Sequence, residues 1–368
     1  MSAPLEYLTD YLTWHIVCKD IKLKESMFMI NKPFKILCID GGGIKGVFSA
    51  QVLAEFEEAF NTKTSEHFDL ICGTSTGGII ALGVVGGIPM KDVVQFYVDN
   101  GPRIFAQRWK VGKLGEWLFI LKQALVKSKY CDKALRNALE KVFGQKKIGD
   151  SQNLLCIPAF NITNSAPRIF KKDYGHLNQD DNKTFVEVAL ATTAAPTYFP
   201  VQEINSVQYV DGGLYANNPV LVGLTEAVLK GYWIKPKDKR GPEDYDGVQI
   251  LSISSCKVPT GDYVRCKRRS FVKWISTLFD AYGEGQSKSN DFFINAIKAH
   301  LDFEIEIKRV ENDPISSIQA KKVSLDKAGK DSLTILKGIG SYVGNNAKND
   351  ERIKQLFTEK KTINPLDF

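Results

Sequence analysis

Hydrophobic residues of this chain fall into short uninterrupted runs that alternate with amphipathic segments. Residues 34–39 form such a run, which follows Pro33 and ends at Asp40 and three glycines. An uninterrupted run of this length is typical of a strand that is buried on both faces of a parallel sheet. After the glycines, apolar residues recur at helical spacing over 47–60, with glutamates between them, which predicts a helix that covers the sheet.

The same alternation continues along the chain and predicts a mostly parallel sheet between helical layers. A second strand ends at Cys72, and helices are predicted from Ile79 and over 90–98. Residues 100–115 read as an irregular basic loop, and residues 235–246 as an exposed loop. The remaining predicted strands are 154–160, 168–172, 207–210 and 248–253, and the remaining predicted helices are 114–126, 131–143, 185–195, 271–281, 288–300, 332–343 and 351–357. Beyond residue 270 the pattern is wholly helical, so 260–368 is predicted to be a helical C-terminal subregion of one domain spanning 34–368.

Composition is ordinary for a globular protein, with 43% hydrophobic and 25% charged residues. The formal net charge of +7 favours anionic partners such as phospholipid surfaces or nucleotides. It does not argue for DNA or RNA. The seven cysteines are scattered without paired spacing, which predicts a reducing compartment.

No targeting or metal-binding signal is found. Residues 1–33 form an N-terminal extension that lacks the basic start and apolar core of a signal peptide. The longest apolar stretch, 79–88, is far shorter than the roughly 20 residues of a membrane span. Neither C-x-x-C nor H-E-x-x-H occurs and the chain has four histidines, so we expect no metal and a cytoplasmic protein.

The chemistry begins at Ser75, in Gly73-Thr74-Ser75-Thr76-Gly77. A run of apolar residues stops at Gly73 and another resumes at Ile79, which predicts strand, sharp turn and helix. A serine at such a turn projects its hydroxyl from the backbone, and glycines on either side avoid a collision across the turn. This is the pattern of a nucleophile elbow, although the same letters also fit a simple polar turn.

The glycine-rich loop after the first strand has two interpretations. Gly41, Gly43 and Gly46 spell G-x-G-x-x-G, which suits a dinucleotide-binding module. Against this, the second strand ends at a serine elbow rather than at a ribose-binding carboxylate. The alternative is an oxyanion hole, in which the N–H groups of Gly42, Gly43 and the next helical turn converge on one point.

A general base for Ser75 is available at Asp211, which ends an apolar run and precedes Gly212 and Gly213. Such a tripeptide is more often only a turn. Beside a serine and a glycine loop, however, its carboxylate could take the serine proton directly. A triad with His300 is the competing arrangement, but that histidine lies on a predicted helix surface, and Ser75 follows the second strand rather than the fifth. The dyad is the preferred interpretation.

At these motifs the chain resembles the patatin-like phospholipase family. The resemblance rests on 40–46, 73–77 and 211–213, supported by 191–200 and 217–219, and it covers about residues 34–225. It implies a three-layer α/β/α fold and a Ser75–Asp211 dyad without histidine that cleaves membrane glycerophospholipid esters. It also implies an oxyanion hole at Gly41, Gly42 and Gly43, with Gly46, Gly73, Gly77, Gly212 and Gly213 in supporting positions. Lys45 stands where the family often has arginine, and it is a candidate contact for the lipid phosphate.

The segment 282–287 and the compact length are similar to the patatin-like effectors of bacterial anti-phage (CBASS) systems. In those systems a cyclic dinucleotide made after infection activates a phospholipase that degrades the cell's own membrane. The resemblance implies no cofactor but an activating cyclic dinucleotide, contact with the inner face of the membrane, and possible homo-oligomers. Basic residues at 103–113 or 265–273 are candidates for effector phosphates, and the aromatic and basic segment 263–293 is a candidate membrane contact or a solvated helix face. A constitutive lipase without nucleotide control is the alternative.

Overall fold

The computed structural model describes residues 30–106, 128–258 and 271–363. The fold below belongs to the unit that starts at Lys32. Its strands are β1 (Pro33–Ile39), β2 (Leu70–Gly73), β3 (Leu154–Asn161), β4 (Ala166–Lys171), β5 (Gln202–Ile204), β6 (Val207–Asp211), β7 (Gly247–Ile253) and β8 (Glu304–Val310). Its helices are α1 (Gly46–Phe60), α2 (Thr76–Val85), α3 (Met90–Ile104), α4 (Lys133–Phe143), α5 (Phe185–Thr193), α6 (Gly213–Ala216), α7 (Val220–Val228), α8 (Phe271–Ile297), α9 (Ser317–Lys322), α10 (Lys330–Ala347) and α11 (Glu351–Thr358).

The strands form one sheet in which the order of the pairings is β5-β6-β3-β2-β1-β7-β8, with β4 also paired to β3. Strands β3, β2, β1, β7 and β8 run parallel to one another. The pairings of β4 and β6 with β3, and of β5 with β6, are antiparallel. The predicted mostly parallel sheet is therefore confirmed.

Hydrophobic cores lie on both faces of the sheet, because alternate residues of each buried strand point to opposite sides. In β1, Leu37 and Ile39 face a core shared with α1 to α5, α10 and α11. Phe34, Ile36 and Cys38 face a second core, which includes residues of α7 and α8. The result is the predicted three-layer α/β/α architecture.

One strand differs from the sequence-based prediction. Residues 304–310 form β8, which pairs parallel with β7 along its whole length, whereas the sequence predicted only helices beyond residue 270. Ile305 is buried in the second core, and Ile307 packs against it. Charged residues occupy the alternate positions, so the segment has the period of a strand with one apolar face and lacks the continuous apolar run used to find the others.

Helix boundaries also differ from the predictions. α8 is one helix from Phe271 to Ile297, where two helices separated near 282–287 were expected. α3 continues to Ile104, through residues predicted to belong to the basic loop. Ile104 is buried in the first core, and this packing outweighs the low helix propensity of the Gly101-Pro102 pair.

Several predictions fall on residues that the structure does not describe. These are most of the extension 1–33, the basic residues 107–113, the helix 114–126 and the basic residues 265–269. The domain boundary at residue 34 remains a prediction. Within the described ranges, no helix is long and apolar enough to cross a membrane.

Candidate active site

Ser75 lies at the sharp turn between β2 and α2. Its backbone has φ 55° and ψ −123°, a strained conformation for a residue with a side chain. Two glycines allow the turn to lie against β1. A Cβ on Gly73 would lie 2.2 Å from the carbonyl oxygen of Gly77, and a Cβ on Gly77 would lie 2.2 Å from that of Ile39. The serine therefore occupies the elbow that the sequence predicts.

Asp211 reaches this elbow on an antiparallel strand. β2 pairs with β3 as far as Cys156, and β6 pairs with β3 from Ala159 to Asn161. Because β4 occupies the other edge of β3 from Cys156 onward, β6 must lie on the same edge as β2. The two strands thus approach each other end to end, and Asp211, the last residue of β6, lies opposite Ala159 just beyond the end of β2.

The side chains of Ser75 and Asp211 are in direct contact. Ser75 Oγ donates a 2.6 Å hydrogen bond to Asp211 Oδ2. The other carboxylate oxygen, Oδ1, accepts a 2.7 Å hydrogen bond from the N–H of Gly213. Burial raises the pKa of Asp211 to about 6, although the hydrogen bonds from Ser75 and Gly213 act in the opposite direction. The carboxylate is held in place and is ionised at neutral pH.

Thr192, at the end of α5, fixes the backbone of the elbow. Its Oγ1 accepts a 2.9 Å hydrogen bond from the N–H of Ser75 and donates one of 2.6 Å to the carbonyl oxygen of Pro158. Thr192 belongs to the segment 191–200 that resembles the family, but no role for it was predicted from the sequence. Residues 188–191 before it are apolar and buried, so a polar residue at the end of a buried helix is the signal that could have identified it.

The glycine loop after β1 lies beside Ser75, and its three N–H groups are not equivalent. The N–H of Gly41 donates to the carbonyl oxygen of Asn217 at 3.0 Å. Among the described residues, the N–H groups of Gly42 and Gly43 have no hydrogen-bond partner. The loop therefore offers two donors rather than the three that the resemblance implies.

Leu325 holds the far side of this loop. The N–H of Ile44 donates to its carbonyl oxygen at 2.9 Å. Gly43 has φ +57°, and a Cβ at this position would lie 2.2 Å from the same oxygen. In a dinucleotide site the first amides of the helical turn would be open to a phosphate. Here Ile44 is already bonded, which weighs against that alternative.

A buried ion pair anchors Asp40, the residue before the glycines. Arg309, near the end of β8, binds its carboxylate with an Nη2–Oδ2 distance of 2.5 Å and also donates to Ser252 Oγ at 2.6 Å. Burial raises the pKa of Asp40, and the neighbouring Arg309 opposes this rise. Neither Arg309 nor its strand was predicted from the sequence. The alternation Phe303, Ile305, Ile307 was the available signal.

The other residues predicted for the site fit the same arrangement. Lys45 is buried and lines the cavity described below. A Cβ on Gly46 would overlap Thr76, at 1.8 Å from its Cγ2, so the start of α1 lies against the start of α2. A Cβ on Gly212 would lie 2.2 Å from the carbonyl oxygen of Pro158. These close approaches explain why the motifs require glycine.

A cavity of about 570 Å³ opens over the dyad, within the usual range for a ligand site. Ser75, Asp211 and the glycine loop line it, and Ser75 is only 9% exposed. Its apolar wall comes from α2 to α4 and the loop after α5, through Ile79, Tyr97, Ile104, Phe105, Leu135, Tyr198 and Phe199. Its charged wall comes from the ends of β7 and β8 and from α8, through Lys257, Glu284, Lys288, Arg309 and Glu311.

Helix α8 is bonded to the loop that follows Asp211. Gln286 accepts from the N–H of Asn218 and donates to the carbonyl oxygen of Tyr215. Asn290 donates to the carbonyl oxygen of Asn218, and Tyr282 donates to that of Leu214. The residue before Asn218 supplies the carbonyl that holds Gly41. The position of α8 is therefore coupled to the loop after Asp211 and, through Asn217, to the glycine loop.

No histidine of the described ranges lines this cavity. His300 is exposed in a 3-10 turn after α8, as the sequence predicts. His67 is buried elsewhere, against Thr62 and the carbonyl oxygen of Glu359. The part of the chain that the structure describes contains no cluster of three or more His, Cys, Asp or Glu side chains suited to a metal ion.

Comparison with known proteins gives a consistent picture. Residues 37–224 match a family model described as "Patatin-like phospholipase". The chain is 32% identical over 323 residues to a protein of Pseudomonas aeruginosa (strain BWHPSA011 / Pa011) named cGAMP-activated phospholipase. This alignment covers 86% of this chain and 90% of that relative. A protein of the same name from Escherichia coli (strain TW11681) is 34% identical over 54% of this chain and 57% of its own. Patatin-like protein 1 of Oryza sativa subsp. indica is 27% identical, over 83% and 80% of the two chains.

Proposed function

The chain belongs to the patatin-like phospholipase family, and we propose that it hydrolyses acyl esters of membrane glycerophospholipids with Ser75 and Asp211 as its catalytic dyad. The observation that carries this proposal is the 2.6 Å hydrogen bond from Ser75 Oγ to Asp211 Oδ2 at the base of the cavity. A hydroxyl that already donates to a carboxylate is arranged to lose its proton as it attacks.

The reaction proceeds in two halves. Ser75 Oγ attacks the ester carbonyl carbon while its proton moves to Asp211 Oδ2. The tetrahedral intermediate collapses, and the departing lysophospholipid oxygen takes that proton from Asp211. Water then attacks the acyl-serine and gives a proton to Asp211. As this second intermediate collapses, Asp211 returns that proton to Ser75 Oγ, which releases the fatty acid and restores the serine hydroxyl.

Stabilisation of the oxyanion is assigned to the N–H groups of Gly42 and Gly43. Both residues line the cavity and, among the described residues, both N–H groups lack a partner. Fixed donors of this kind act where negative charge develops, and each typically contributes about 10²- to 10³-fold in rate. Gly41 acts differently, since its bond to Asn217 positions the loop.

The two walls of the cavity suit the two parts of a phospholipid. The aromatic and aliphatic wall, in which Phe105 and Phe199 pack at 5.9 Å between ring centroids, suits an acyl chain. Lys45 is the proposed contact for the lipid phosphate, because it is a buried cation at the cavity surface beside the glycine loop. Lysine would act there as a point charge, without the two-pronged geometry of arginine.

Regulation by a cyclic dinucleotide is the second part of the proposal. Its support is the name of two relatives, cGAMP-activated phospholipase, one of which aligns over 86% of this chain. The proposed role is a cytoplasmic effector of bacterial anti-phage defence that degrades the inner membrane surface. The charged wall and the hydrogen bonds of α8 to the catalytic loops offer a route by which an effector could alter Ser75.

The test is fatty acid release from phospholipid vesicles, with and without cyclic GMP–AMP and a panel of other cyclic nucleotides. We expect hydrolysis that one cyclic dinucleotide stimulates and that Ser75→Ala and Asp211→Asn each lower by at least about 10³-fold. Asp238→Asn, an exposed aspartate, is the matched control. Activity that survives Ser75→Ala would refute the dyad, whereas full activity indifferent to every nucleotide would refute only the regulation.

A further inference from the structure

The loop between α9 and α10 contacts two separate parts of the active site. Leu325 lines the cavity, and its carbonyl oxygen accepts the 2.9 Å hydrogen bond from the N–H of Ile44 in the glycine loop. The next residue, Asp326, is bonded to Tyr130, which packs against the apolar wall of the cavity. We call residues 324–326 the linking loop, because it joins these two parts.

The peptide group between Gly43 and Ile44 is held from both sides. Thr76 Oγ1 donates a 2.7 Å hydrogen bond to the carbonyl oxygen of Gly43, and the N–H of Ile44 donates to Leu325. Because these two groups belong to one planar unit, its orientation is fixed. Gly43 has φ +57°, and a Cβ at this position would lie 2.2 Å from the Leu325 carbonyl oxygen. The Leu325 carbonyl therefore sets the position of Gly43, whose N–H is a proposed oxyanion donor.

Asp326 anchors the linking loop through three side chains. Its Oδ2 binds Lys129 Nζ and accepts a 2.9 Å hydrogen bond from the hydroxyl of Tyr130. Its Oδ1 accepts a 3.3 Å hydrogen bond from Ser324 Oγ. Burial acts to raise the pKa of Asp326, but the hydrogen bond and the charge of Lys129 outweigh it and hold the pKa below the usual value. The carboxylate is therefore ionised at neutral pH and keeps its partners.

Tyr130 is part of the packing behind the apolar wall. Its ring centroid lies 5.4 Å from that of Phe105 and 5.8 Å from that of Phe199. Its backbone N–H donates a 2.8 Å hydrogen bond to the carbonyl oxygen of Tyr198. Phe105, Tyr198 and Phe199 all line the cavity. An acyl chain that fills this side of the cavity thus contacts the residues that hold Tyr130, the hydrogen-bond donor to Asp326.

We propose that Asp326 is a positioning residue through which an acyl chain at the apolar wall fixes the geometry of the oxyanion loop. The proposal rests on the function assigned above. A chain packed against Phe105 and Phe199 restrains Tyr130, and Tyr130 holds Asp326 and, with it, the carbonyl of Leu325. Because the oxyanion loop acts on the tetrahedral intermediate, this restraint stabilises the transition state more than the bound ester. Contacts of the chain therefore raise kcat rather than only lowering KM.

The test is steady-state hydrolysis of dissolved para-nitrophenyl acetate and para-nitrophenyl octanoate, with cyclic GMP–AMP present and absent. Asp326→Asn removes the charge that pairs with Lys129, and Tyr130→Phe removes the hydroxyl but keeps the ring. In each variant, kcat for the octanoate should fall by about tenfold, whereas kcat for the acetate and both KM values should change by no more than about twofold. The ratio of the two kcat values is the readout, because a general loss of structure lowers both alike.

Two comparisons separate the positioning role from an effect on stability. Asp331→Asn, in an exposed ion pair with Lys322, is the matched control and should leave both kcat values unchanged. The double variant Asp326→Asn, Tyr130→Phe should lower the kcat ratio no further than the stronger single variant, since both substitutions break the same contact. Tyr130→Phe keeps the aromatic packing, so it tests the link even where Asp326→Asn lowers the melting temperature.

The outcomes distinguish the positioning role from the proposed function. A parental protein that hydrolyses neither the esters nor vesicle lipid refutes the proposed function, and the positioning role with it. Parental hydrolysis of both esters, with an unchanged or higher octanoate-to-acetate ratio in the two variants, overturns the role of Asp326 alone. An equal fall in both kcat values does the same, because it shows that Asp326 is only a structural contact.

Discussion

Ser75 Oγ donates a 2.6 Å hydrogen bond to Asp211 Oδ2 across 136 residues of sequence. The contact exists because β2 and β6 approach each other along the same edge of β3, so that the residues at their ends meet. Each partner is also held by its own neighbours, Ser75 through Thr192 and Asp211 through Gly213. The pair is thus positioned by backbone geometry before any substrate arrives.

We expect hydrolysis to rise with pH through a midpoint of about 6. Asp211 can accept the serine proton only when it is ionised, and burial raises its pKa to about 6. The measurement is kcat/KM for a dissolved ester from acidic to mildly alkaline pH. A midpoint near the ordinary value of an exposed aspartate, or a flat profile, would contradict the role of Asp211 as base.

The same pKa predicts that Asp211→Asn stabilises the fold at neutral pH. An acid whose pKa is higher in the folded than in the unfolded state binds protons more tightly when folded, so the wild-type protein loses stability as pH rises from about 4 to about 6. With 1.36 kcal/mol per pKa unit, the wild-type protein loses on the order of 3 kcal/mol in free energy of unfolding. The asparagine variant has no ionisable group at this position and keeps its stability over the same pH range.

Urea unfolding of both proteins at pH 4 and pH 7.5 checks this stability effect. The advantage of the variant in free energy of unfolding should be small at the lower pH and reach about 2 to 3 kcal/mol at the higher one. Asp238→Asn serves as the control, since this aspartate is exposed. An advantage that is the same at both pH values would assign the effect to something other than ionisation.

Much of the site could be predicted from sequence because its parts carry local signals. Ser75, Asp211 and the glycine loop each follow an apolar run, and the glycines stand where close backbone approaches occur. Because the carboxyl ends of adjacent parallel strands lie at the same edge of a sheet, residues that follow such strands are expected in one crevice. Asp211 was also expected there, although its strand proved to be antiparallel to β3.

The rest of the site depends on contacts between distant residues. Thr192 reaches Ser75 across 117 residues, and Arg309 reaches Asp40 across 269. The local signals at Thr192 and Arg309 do not tell which distant residue is the partner. β8 was missed for a related reason, since an edge strand with charged alternate positions lacks the long apolar run that marks β1 and β7.

Arg309→Lys should lower kcat by about tenfold, with KM changed by no more than about twofold. Arg309 is a positioning residue, because its guanidinium holds both Asp40, beside the oxyanion loop, and Ser252. Lysine keeps the charge but cannot make both contacts with the same geometry. Steady-state kinetics on a dissolved ester make the measurement.

Controls for Arg309 separate positioning from stability. Arg352→Lys, in an exposed ion pair with Asp350, should leave kcat unchanged. Arg309→Met leaves Asp40 as a buried uncompensated charge and should lower the free energy of unfolding by about 3 to 5 kcal/mol. If Arg309→Lys lowers the melting temperature but leaves kcat at the parental value, the positioning role is wrong.

Gly73→Ala and Gly338→Ala should change stability in opposite directions. At Gly73 a Cβ would lie 2.2 Å from the carbonyl oxygen of Gly77 and 2.8 Å from Ala81 Cβ, so alanine must push α2 away from β2. We expect a loss of about 2 to 4 kcal/mol in free energy of unfolding and a large loss of activity, because the displaced turn carries Ser75.

Gly338 is exposed within α10, and a Cβ there would meet nothing within 4 Å. Alanine at that position should stabilise the helix by about 0.5 to 1 kcal/mol and leave activity intact. Urea unfolding and ester hydrolysis of both variants decide the matter, and a Gly73→Ala enzyme of normal stability and activity would show that the elbow does not need this close approach.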